Sequence, residues 1–232
     1  MERQGKKHRE AAKLVEKGKN YALKPAAELL PKISTAKFDA TAELHIRLNV
    51  DPKQSDQNIR DQVVLPAGTG KDVRVAVFGE DAEVATAKKA GAEVAGGDSL
   101  LAKLDKGEFD FDVLIASPKV MAKLGKYARQ LGPKGLMPNP KSGTVSTDIE
   151  KAVTEAKAGR VEYRVDEAGI VHVAFGKVSF GADKLLENLQ AILRSIKNNK
   201  PGSIKGSYIS SAFVTVSMGP SVKLDISEIN AL

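Results

Sequence analysis

VRVAVFG at residues 73–79, AEVAG at 92–96 and FDVLIAS at 111–117 are short aliphatic runs of the length expected for buried strands. A helical pattern follows each run: EDAEVATAKKAG (80–91), DSLLAKLDKG (98–107, with Asp98 or Ser99 as N-cap) and SPKVMAKLGKYARQLG (117–132). Strands that alternate with helices of this length predict βαβ units and a parallel sheet. Since helices cover both faces of such a sheet, this block predicts a three-layer, Rossmann-like α/β domain.

The sequence on both sides of this block has the alternation of antiparallel strands instead. TAELHIRLNVD (41–51) alternates apolar and polar residues, and RVEYRVDEAGIVHVAFGKV (160–178) contains two alternating runs around Asp166–Gly169, which predicts a hairpin. An amphipathic helix is expected over 182–199, and further strands over 208–218 and 222–226. These segments predict a two-layer α+β domain in which helices cover an antiparallel sheet.

Because the antiparallel segments lie on both sides of the α/β block, the α+β domain is predicted to be discontinuous. Residues 1–67 and 160–232 would form it, and residues 68–159 would be an inserted α/β domain. Gly68 and Gly70 mark one crossing between the domains and Gly159 the other, so these glycines are candidate hinge residues.

Charge is distributed unequally between the two predicted domains. The chain has a formal net charge of +7, of which residues 68–159 carry +1 and the remainder +6. No Asp or Glu occurs from Asn188 to Leu224, where bases and hydroxyl side chains are frequent. A polyanion such as RNA is the partner that this pattern favours. The alternative is a buried strand next to an ordinary basic helix.

Several site classes find no support in the sequence. Cysteine is absent, so disulfides and thiolate metal sites are excluded, and the three histidines have no metal-ligand spacing. Gly68-Thr69-Gly70-Lys71 lacks the first Gly and the final Ser or Thr of a phosphate-binding loop, and no dinucleotide fingerprint follows residues 73–79. No cofactor and no metal are expected. Two rival functions stay open, namely an enzyme that binds a small phosphorylated ligand in the α/β domain, and an architectural spacer.

The basic N-terminus MERQGKKHRE leads into no apolar segment, so no signal peptide is expected. No apolar run approaches the roughly 20 residues of a membrane span. We therefore expect a cytoplasmic protein with no membrane partner.

Five motifs, in order along the chain, resemble the bacterial ribosomal protein L-one family, the family of the mobile lateral stalk of the large ribosomal subunit. The longest is Leu131-Gly132-Pro133-Lys134-Gly135-Leu136-Met137-Pro138-Asn139-Pro140-Lys141. The others are Gly5-Lys6-Lys7, Thr35-Ala36-Lys37-Phe38-Asp39, Asp51-Pro52 with Ser55-Asp56-Gln57-Asn58-Ile59-Arg60, and Met218-Gly219-Pro220-Ser221-Val222.

The resemblance implies a structural, non-enzymatic protein that binds large-subunit ribosomal RNA. It further implies a role in moving deacylated tRNA out of the exit site, and repression of its own operon by binding that operon's mRNA. Such a protein would be associated with the ribosome in the cytoplasm and monomeric when free of it.

The resemblance also implies the RNA-binding residues Lys37, Phe38, Thr41, Ser217, Met218 and Gly219, with Ser217 standing where the family usually has Thr. The alternation of residues 211–218 puts Ser211 and Ser217 on one hydroxyl-rich face, together with Phe213, whose alternative role is packing under the hairpin. Arg164 and His172 on the hairpin are expected beside this surface, and Lys134 and Lys141 are candidate secondary RNA contacts. For Phe38 the alternatives are contact with a base or ribose and burial in the core.

Overall fold

The computed structural model describes residues 5–107 and 109–232, apart from the side chains of Asp81, Ala82, Asp98, Ser99 and Lys141. The α-helices, in chain order, are α1 (Lys6–Ala12), α2 (Leu23–Ile33), α3 (Asp81–Lys89), α4 (Asp98–Asp105), α5 (Met121–Leu124), α6 (Ala128–Leu131), α7 (Ile149–Lys157), α8 (Gly181–Asn198) and α9 (Ile226–Ala231). The strands are β1 (Thr41–Leu48), β2 (Arg60–Val64), β3 (Val75–Phe78), β4 (Val94–Ala95), β5 (Val113–Ala116), β6 (Arg160–Arg164), β7 (Ile170–Lys177), β8 (Ile209–Val216) and β9 (Val222–Lys223). Short 3-10 turns occur at Gly125–Tyr127, Pro140–Ser142 and Val178–Phe180.

The chain folds into two compact units. The first comprises the chain up to Gly70 together with Val161–Leu232, and the second comprises Lys71–Arg160. Each unit has hydrophobic clusters of its own.

A four-stranded antiparallel sheet in the order β7-β1-β8-β9 organises the first unit. Alternate residues of its strands are buried, as in Leu44 and Ile46 of β1, Val171 and Val173 of β7, and Val214 of β8. These side chains share one hydrophobic core with the buried residues of α2 and α8. One face of the sheet is therefore covered by helices, which leaves the other face to the polar half of the alternation. The predicted α+β architecture is confirmed.

The predicted hairpin over 160–178 is wrong in its pairing, although its turn is present. The Asp166 carboxylate accepts hydrogen bonds from the backbone N–H groups of Ala168 and Ile170, at 2.9 and 2.7 Å. Beyond the single bridge between Val165 and Val171 the two strands separate, because β6 pairs with β2 in a two-stranded sheet while β7 joins β1. The N–H of Val165, next to β6, likewise donates to the carbonyl of Ile59, next to β2, at 3.0 Å.

The second unit has a parallel sheet in the order β4-β3-β5 between two helical layers. Val75 and Val77 of β3 pack with α3 and α7, whereas Ala76 and Phe78 of the same strand pack with α4, α5 and α6. Because all four β3 residues are buried, the strand reads as a continuous apolar run, as parallel strands do. The predicted three-layer α/β fold is confirmed.

Three predicted elements differ in detail. The helix over 117–132 begins only at Met121 and is interrupted by the 3-10 turn at Gly125, the residue of lowest helix propensity in that segment after Pro118. The N-cap of α4 is Gly97 rather than Asp98 or Ser99, since the Gly97 carbonyl accepts from the N–H of Leu101.

The third difference lies at the C-terminus. The strand predicted over 222–226 ends at Lys223, and the side chain of Asp225 instead caps α9 by accepting from the N–H of Ser227 at 2.9 Å.

The predicted crossing glycines share a backbone property. Gly68, Gly70 and Gly159 have φ values of 72°, 71° and 97°, a region that favours glycine. Gly70 is also close to its neighbours, since a Cβ there would lie 2.8 Å from the Phe180 ring. A hinge function for these residues stays a prediction.

A fully buried asparagine fixes the segment that leads to the first crossing. The side chain of Asn188, in α8, accepts from the N–H of Ala67 at 2.9 Å. Its amide nitrogen donates to the carbonyls of Gly68 and Phe175, at 2.9 and 2.7 Å. The sequence analysis did not single out this residue, because nothing distinguishes it from an exposed helical asparagine until its neighbours are known.

Candidate nucleic-acid interface

The uncovered side of the four-stranded sheet, here called the open face, carries the outward residues of its strands. On β1 these are Thr41, Glu43, His45 and Arg47, each at least partly exposed. The strand register places the remaining members in rows across the sheet. These rows are Lys177–Thr41, Ala174–Glu43–Thr215, His172–His45–Phe213–Lys223 and Ile170–Arg47–Ser211.

One end of this face combines exposed apolar side chains with a base. Here β1 begins and the antiparallel strands β7 and β8 end, so residues 37–41, Lys177 and residues 217–219 meet; we call this region the sheet end. Phe38 is 60% exposed and Met218 76% exposed. Large exposed apolar groups at one place mark contact surfaces more often than chance positions do. The core alternative for Phe38 is therefore wrong.

The loop that carries Lys37 and Phe38 is fixed at its base. The Asp39 carboxylate accepts hydrogen bonds from the backbone N–H and the hydroxyl of Ser179, at 3.1 and 2.8 Å. Ala40, which follows, is fully buried. Lys37 and Phe38 thus project from an anchored loop, which lowers the entropy that a partner would have to remove on binding.

Met218 occupies a tight turn at the end of β8. The N–H of Gly219 donates to the carbonyl of Val216 at 2.7 Å, and Met218 at the third position has a φ of 66°. Glycine is the usual residue at such a position, and another residue there costs roughly 1–3 kcal/mol. A Cβ on Gly219 would lie 2.5 Å from the Val216 side chain, so no larger residue fits there. The turn therefore combines an exposed methionine side chain, on a strained backbone, with a neighbouring glycine that has no side chain.

Ser217 is bound to the first strand. Its hydroxyl oxygen accepts from the N–H of Thr41 at 3.3 Å, and its own N–H donates to the carbonyl of Thr41 at 2.9 Å. The hydroxyl also lies 3.5 Å from a carboxylate oxygen of Glu43. These contacts give Ser217 a structural role at the sheet end in addition to any contact with a partner.

Lys177 is a member of the sheet end that the sequence analysis missed. Its ammonium donates to the Thr41 hydroxyl at 2.8 Å and approaches the carbonyl of Asp39 at 3.5 Å. It places a positive charge between Thr41 and the anchored loop. Its position depends on the register of β7 against β1, which no local pattern in the sequence reveals.

Two histidines form a hydrogen-bonded pair in the middle of the open face. Nδ1 of His45 lies 2.7 Å from Nδ1 of His172, and the rings are edge-on. The other nitrogens face carboxylates, with His45 Nε2 at 3.6 Å from Glu43 and His172 Nε2 at 3.4 Å from Asp166. Burial, and then the adjacent His172, hold the pKa of His45 below its ordinary value, against the opposing effect of Glu43.

The predicted RNA-binding residues are thus only partly assembled in one place. Lys37, Phe38, Thr41 and residues 217–219 meet at the sheet end. His172 and Ser211 lie further along the open face, and Ser211 is about 20 Å from Ser217 along β8. Arg164 is exposed but belongs to β6, outside the four-stranded sheet.

The candidate secondary contacts belong to the second unit. The ammonium of Lys134 lies 3.5 Å from the centre of the Phe109 ring, a cation–π contact that orients an otherwise exposed side chain. The side chain of Lys141 lies outside the described part of the chain.

The carboxyl ends of the parallel strands are where α/β proteins bind ligands, and at the end of β3 that position holds two acidic residues, Glu80 and Glu83. A carboxylate oxygen of Glu83 accepts from the N–H of Glu80 at 2.9 Å, at the start of α3. The same oxygen would lie 2.7 Å from a Cβ on Gly79. A carboxylate therefore occupies the helix terminus that a phosphate would need, which weighs against the phosphorylated-ligand enzyme.

No cluster of three or more potential metal ligands occurs within 5–107 and 109–232. None of the helices in those ranges is both long and apolar enough to span a lipid bilayer.

Comparison with known families identifies the chain. The family model described as the Ribosomal protein L1p/L10e family matches residues 30–220, most of the chain and parts of both units. The chain is therefore a structural ribosomal protein that binds ribosomal RNA, and this class is not an enzyme class. It belongs to the Ribosomal protein L1p/L10e family, which confirms the resemblance drawn from the five motifs.

Proposed function

We propose that this chain binds large-subunit ribosomal RNA at the mobile lateral stalk, with the sheet end as the centre of the contact. The observation that carries this proposal is the pair of exposed apolar side chains, Phe38 and Met218, on an anchored loop and a strained turn. A backbone conformation that lowers stability persists where the surrounding structure enforces it, and such sites are often functional.

The chemistry of the sheet end fits folded RNA. Lys37 supplies a charge for a phosphate, and Phe38 an aromatic surface for a base or ribose. Gly219 allows the RNA backbone to approach the turn closely, while Ser217 and Thr41 offer hydroxyls for sugar contacts. Ser211 and His172 extend the same surface outward, Arg164 contributes from β6 outside the four-stranded sheet, and Lys134 and Lys141 of the second unit provide secondary contacts.

The direct test is the affinity for large-subunit ribosomal RNA of the variants Phe38→Ala and Met218→Ala, at fixed salt. Each substitution removes apolar surface that the RNA would cover, so we expect a loss of about 1–3 kcal/mol of binding free energy. The matched control is Val64→Ala, which truncates another exposed apolar residue, 42% exposed, on β2. Equal affinities for the Phe38, Met218 and Val64 variants would refute the assignment of the sheet end.

We further propose that the protein assists release of deacylated tRNA from the exit site and represses translation of its own operon. If operon mRNA and ribosomal RNA use the same sheet end, they compete, and Phe38→Ala weakens both by a similar factor. Simultaneous binding of the two RNAs to one chain would contradict a shared site. Crosslinking of exit-site tRNA on assembled ribosomes tests the remaining role.

The same proposal includes a cytoplasmic, ribosome-associated location and a monomeric state off the ribosome. Gly68, Gly70 and Gly159 would serve as hinge residues, since their backbone conformations suit glycine. Sedimentation of the free chain tests the oligomeric state.

A further inference from the structure

A cavity of about 530 Å³ opens beside the sheet end. Its walls are α1, the loop that follows α1, and the edge of the open face formed by β8, β9 and the turn between them. Its volume lies in the range of small-molecule sites. None of the predicted functions uses it.

Phe213 provides the sheet side of this cavity. It lies on the open face in one row with His45 and Lys223, and it is half-buried. Among the described residues, the partly buried hydrophobic side chains that pack on the core of the first unit do not include Phe213. Its ring therefore does not belong to that core, and it lines the cavity.

The opposite wall combines Ala12 and Val15 with polar residues, and three lysines lie around the cavity. Lys17, Lys19 and Lys223 line the cavity, as does Glu16, whose carboxylate pairs with Lys19 at 2.8 Å. His8 of α1 also lines it, and Nδ1 of His8 is buried without a hydrogen-bond partner among the described residues. A buried ring nitrogen of this kind is satisfied when a ligand or water supplies the missing partner.

We propose that this cavity receives one unstacked nucleotide of the bound RNA, with its base on the Phe213 ring and its phosphate near Lys17 and Lys223. Proteins that recognise single-stranded positions of folded RNA combine an aromatic platform with basic residues in this way. The proposal deepens the proposed function and rests on it, because the nucleotide belongs to the same RNA.

The position of the cavity favours RNA over a free small ligand. Gly219 and Pro220, which follow Met218 directly, form part of its lining. The cavity therefore begins one residue after Met218, and an RNA strand that contacts Met218 at the sheet end lies next to it. Glu16 pairs with one of the three lysines, Lys19, so two lysines, Lys17 and Lys223, are left for a phosphate of the RNA strand.

The test uses the full chain and large-subunit ribosomal RNA. Phe213→Leu keeps an apolar side chain but removes the flat ring, and should weaken binding about 5- to 100-fold. Phe213→Tyr keeps the ring and should bind within about threefold of the unchanged chain. Circular dichroism and thermal unfolding of both variants establish that they are folded.

Ultraviolet crosslinking supplies a readout that a purely structural role would not produce. Tryptic cleavage after Lys205 and Lys223 isolates the peptide 206–223, and we expect a single-nucleotide adduct on Phe213 within it. If the unchanged chain binds the RNA but Phe213→Leu binds equally well and no adduct appears on Phe213, the cavity proposal is overturned and the proposed function stands. If the unchanged chain does not bind the RNA, the proposed function itself fails. An adduct on Phe213 together with weakened Phe213→Leu binding supports both.

Discussion

At the residue scale, Met218 and Asn188 of the first unit each lie in surroundings that are uncommon for their residue type. Met218 is 76% exposed with a left-handed backbone, whereas Asn188 is fully buried with three hydrogen bonds to the backbone. Each departs from the usual distribution of residues between core and surface. The first departure belongs to the proposed RNA contact and the second to the fold.

Met218→Gly should change stability and RNA affinity in opposite directions. Glycine relieves a backbone strain of roughly 1–3 kcal/mol, partly offset by the greater freedom of the unfolded chain, so the free energy of unfolding should rise by about 1 kcal/mol. Loss of the side chain should weaken RNA binding by about 1.5–3 kcal/mol. Urea unfolding and titration at fixed salt measure the two quantities. Met218→Leu keeps both the strain and an apolar side chain and should stay near the unchanged chain in each; a glycine variant with unchanged affinity would contradict the assigned contact.

Asn188→Ala should destabilise the first unit by about 2–4 kcal/mol, because it removes the partner of the buried Phe175 carbonyl and of two partly buried groups, the N–H of Ala67 and the carbonyl of Gly68. The matched control is Asn198→Ala on the same helix, where the side chain is exposed and a change within about 0.5 kcal/mol is expected. Urea unfolding of the two variants measures the difference. Equal stabilities would mean that the three hydrogen bonds contribute nothing net.

At the element scale, strand faces could be predicted from the sequence but strand partners could not. The alternation in β1 and β8 identified their buried and outward residues, because period two is a local property. The pairing of β6 with β2 depends on which strand offers free backbone groups. That strand is remote in sequence, so no pattern near β6 identifies it. For the same reason Lys177 and the His45–His172 pair stayed hidden, as both depend on the register between β1 and β7. The exposure of Phe38 likewise required knowledge of how Asp39 anchors its loop.

The outward row of β1 makes stability depend on pH. The pKa of folded His45 lies below its value in the unfolded chain, so below about pH 6.5 the unfolded state binds more protons than the folded state. His45 therefore has no effect on the free energy of unfolding well above pH 6.5. As the pH falls below about 6.5, the free energy of unfolding decreases, and His45 contributes at most about 1.4 kcal/mol per pH unit to this slope. His172, Glu43 and Asp166 face the same pair. Urea unfolding from pH 7.5 to 5.5 should show a smaller slope for His45→Gln; identical slopes would exclude His45 as the source.

The loop between α2 and β1 should set part of the salt dependence of RNA binding. If Lys37 contacts a phosphate, Lys37→Gln reduces the slope of the logarithm of the binding constant against the logarithm of salt by about 1. Lys126→Gln, an exposed lysine of the second unit, serves as the matched control and should leave the slope unchanged. The measurement is a titration of ribosomal RNA at four or more salt concentrations. Equal slopes for the Lys37→Gln and Lys126→Gln variants would mean that Lys37 does not contact a phosphate.

At the scale of the whole molecule, the proposed RNA-binding features are distributed unequally between two units with separate cores. The first unit contains the sheet end, the cavity and most of the excess positive charge, whereas the carboxyl end of β3 in the second unit is followed by the acidic residues Glu80 and Glu83. The sequence predicts an inserted domain, because the type of strand differs between residues 68–159 and the segments on either side of them.

Replacing Lys71–Arg160 by a short Gly/Ser linker should leave most of the affinity for ribosomal RNA intact. The first unit has its own hydrophobic core, and the segments that flank the second unit lead from β2 and into β6, which pair with each other, so a short linker can join them. At fixed salt, we expect the shortened chain to bind within about tenfold of the full chain, a difference of about 1.4 kcal/mol that allows for the secondary contacts of Lys134 and Lys141. Residues 71–160 alone should bind weakly and without preference for the ribosomal site. If instead the shortened chain is folded by circular dichroism and loses most of its binding free energy, the second unit carries the recognition and the sheet end does not.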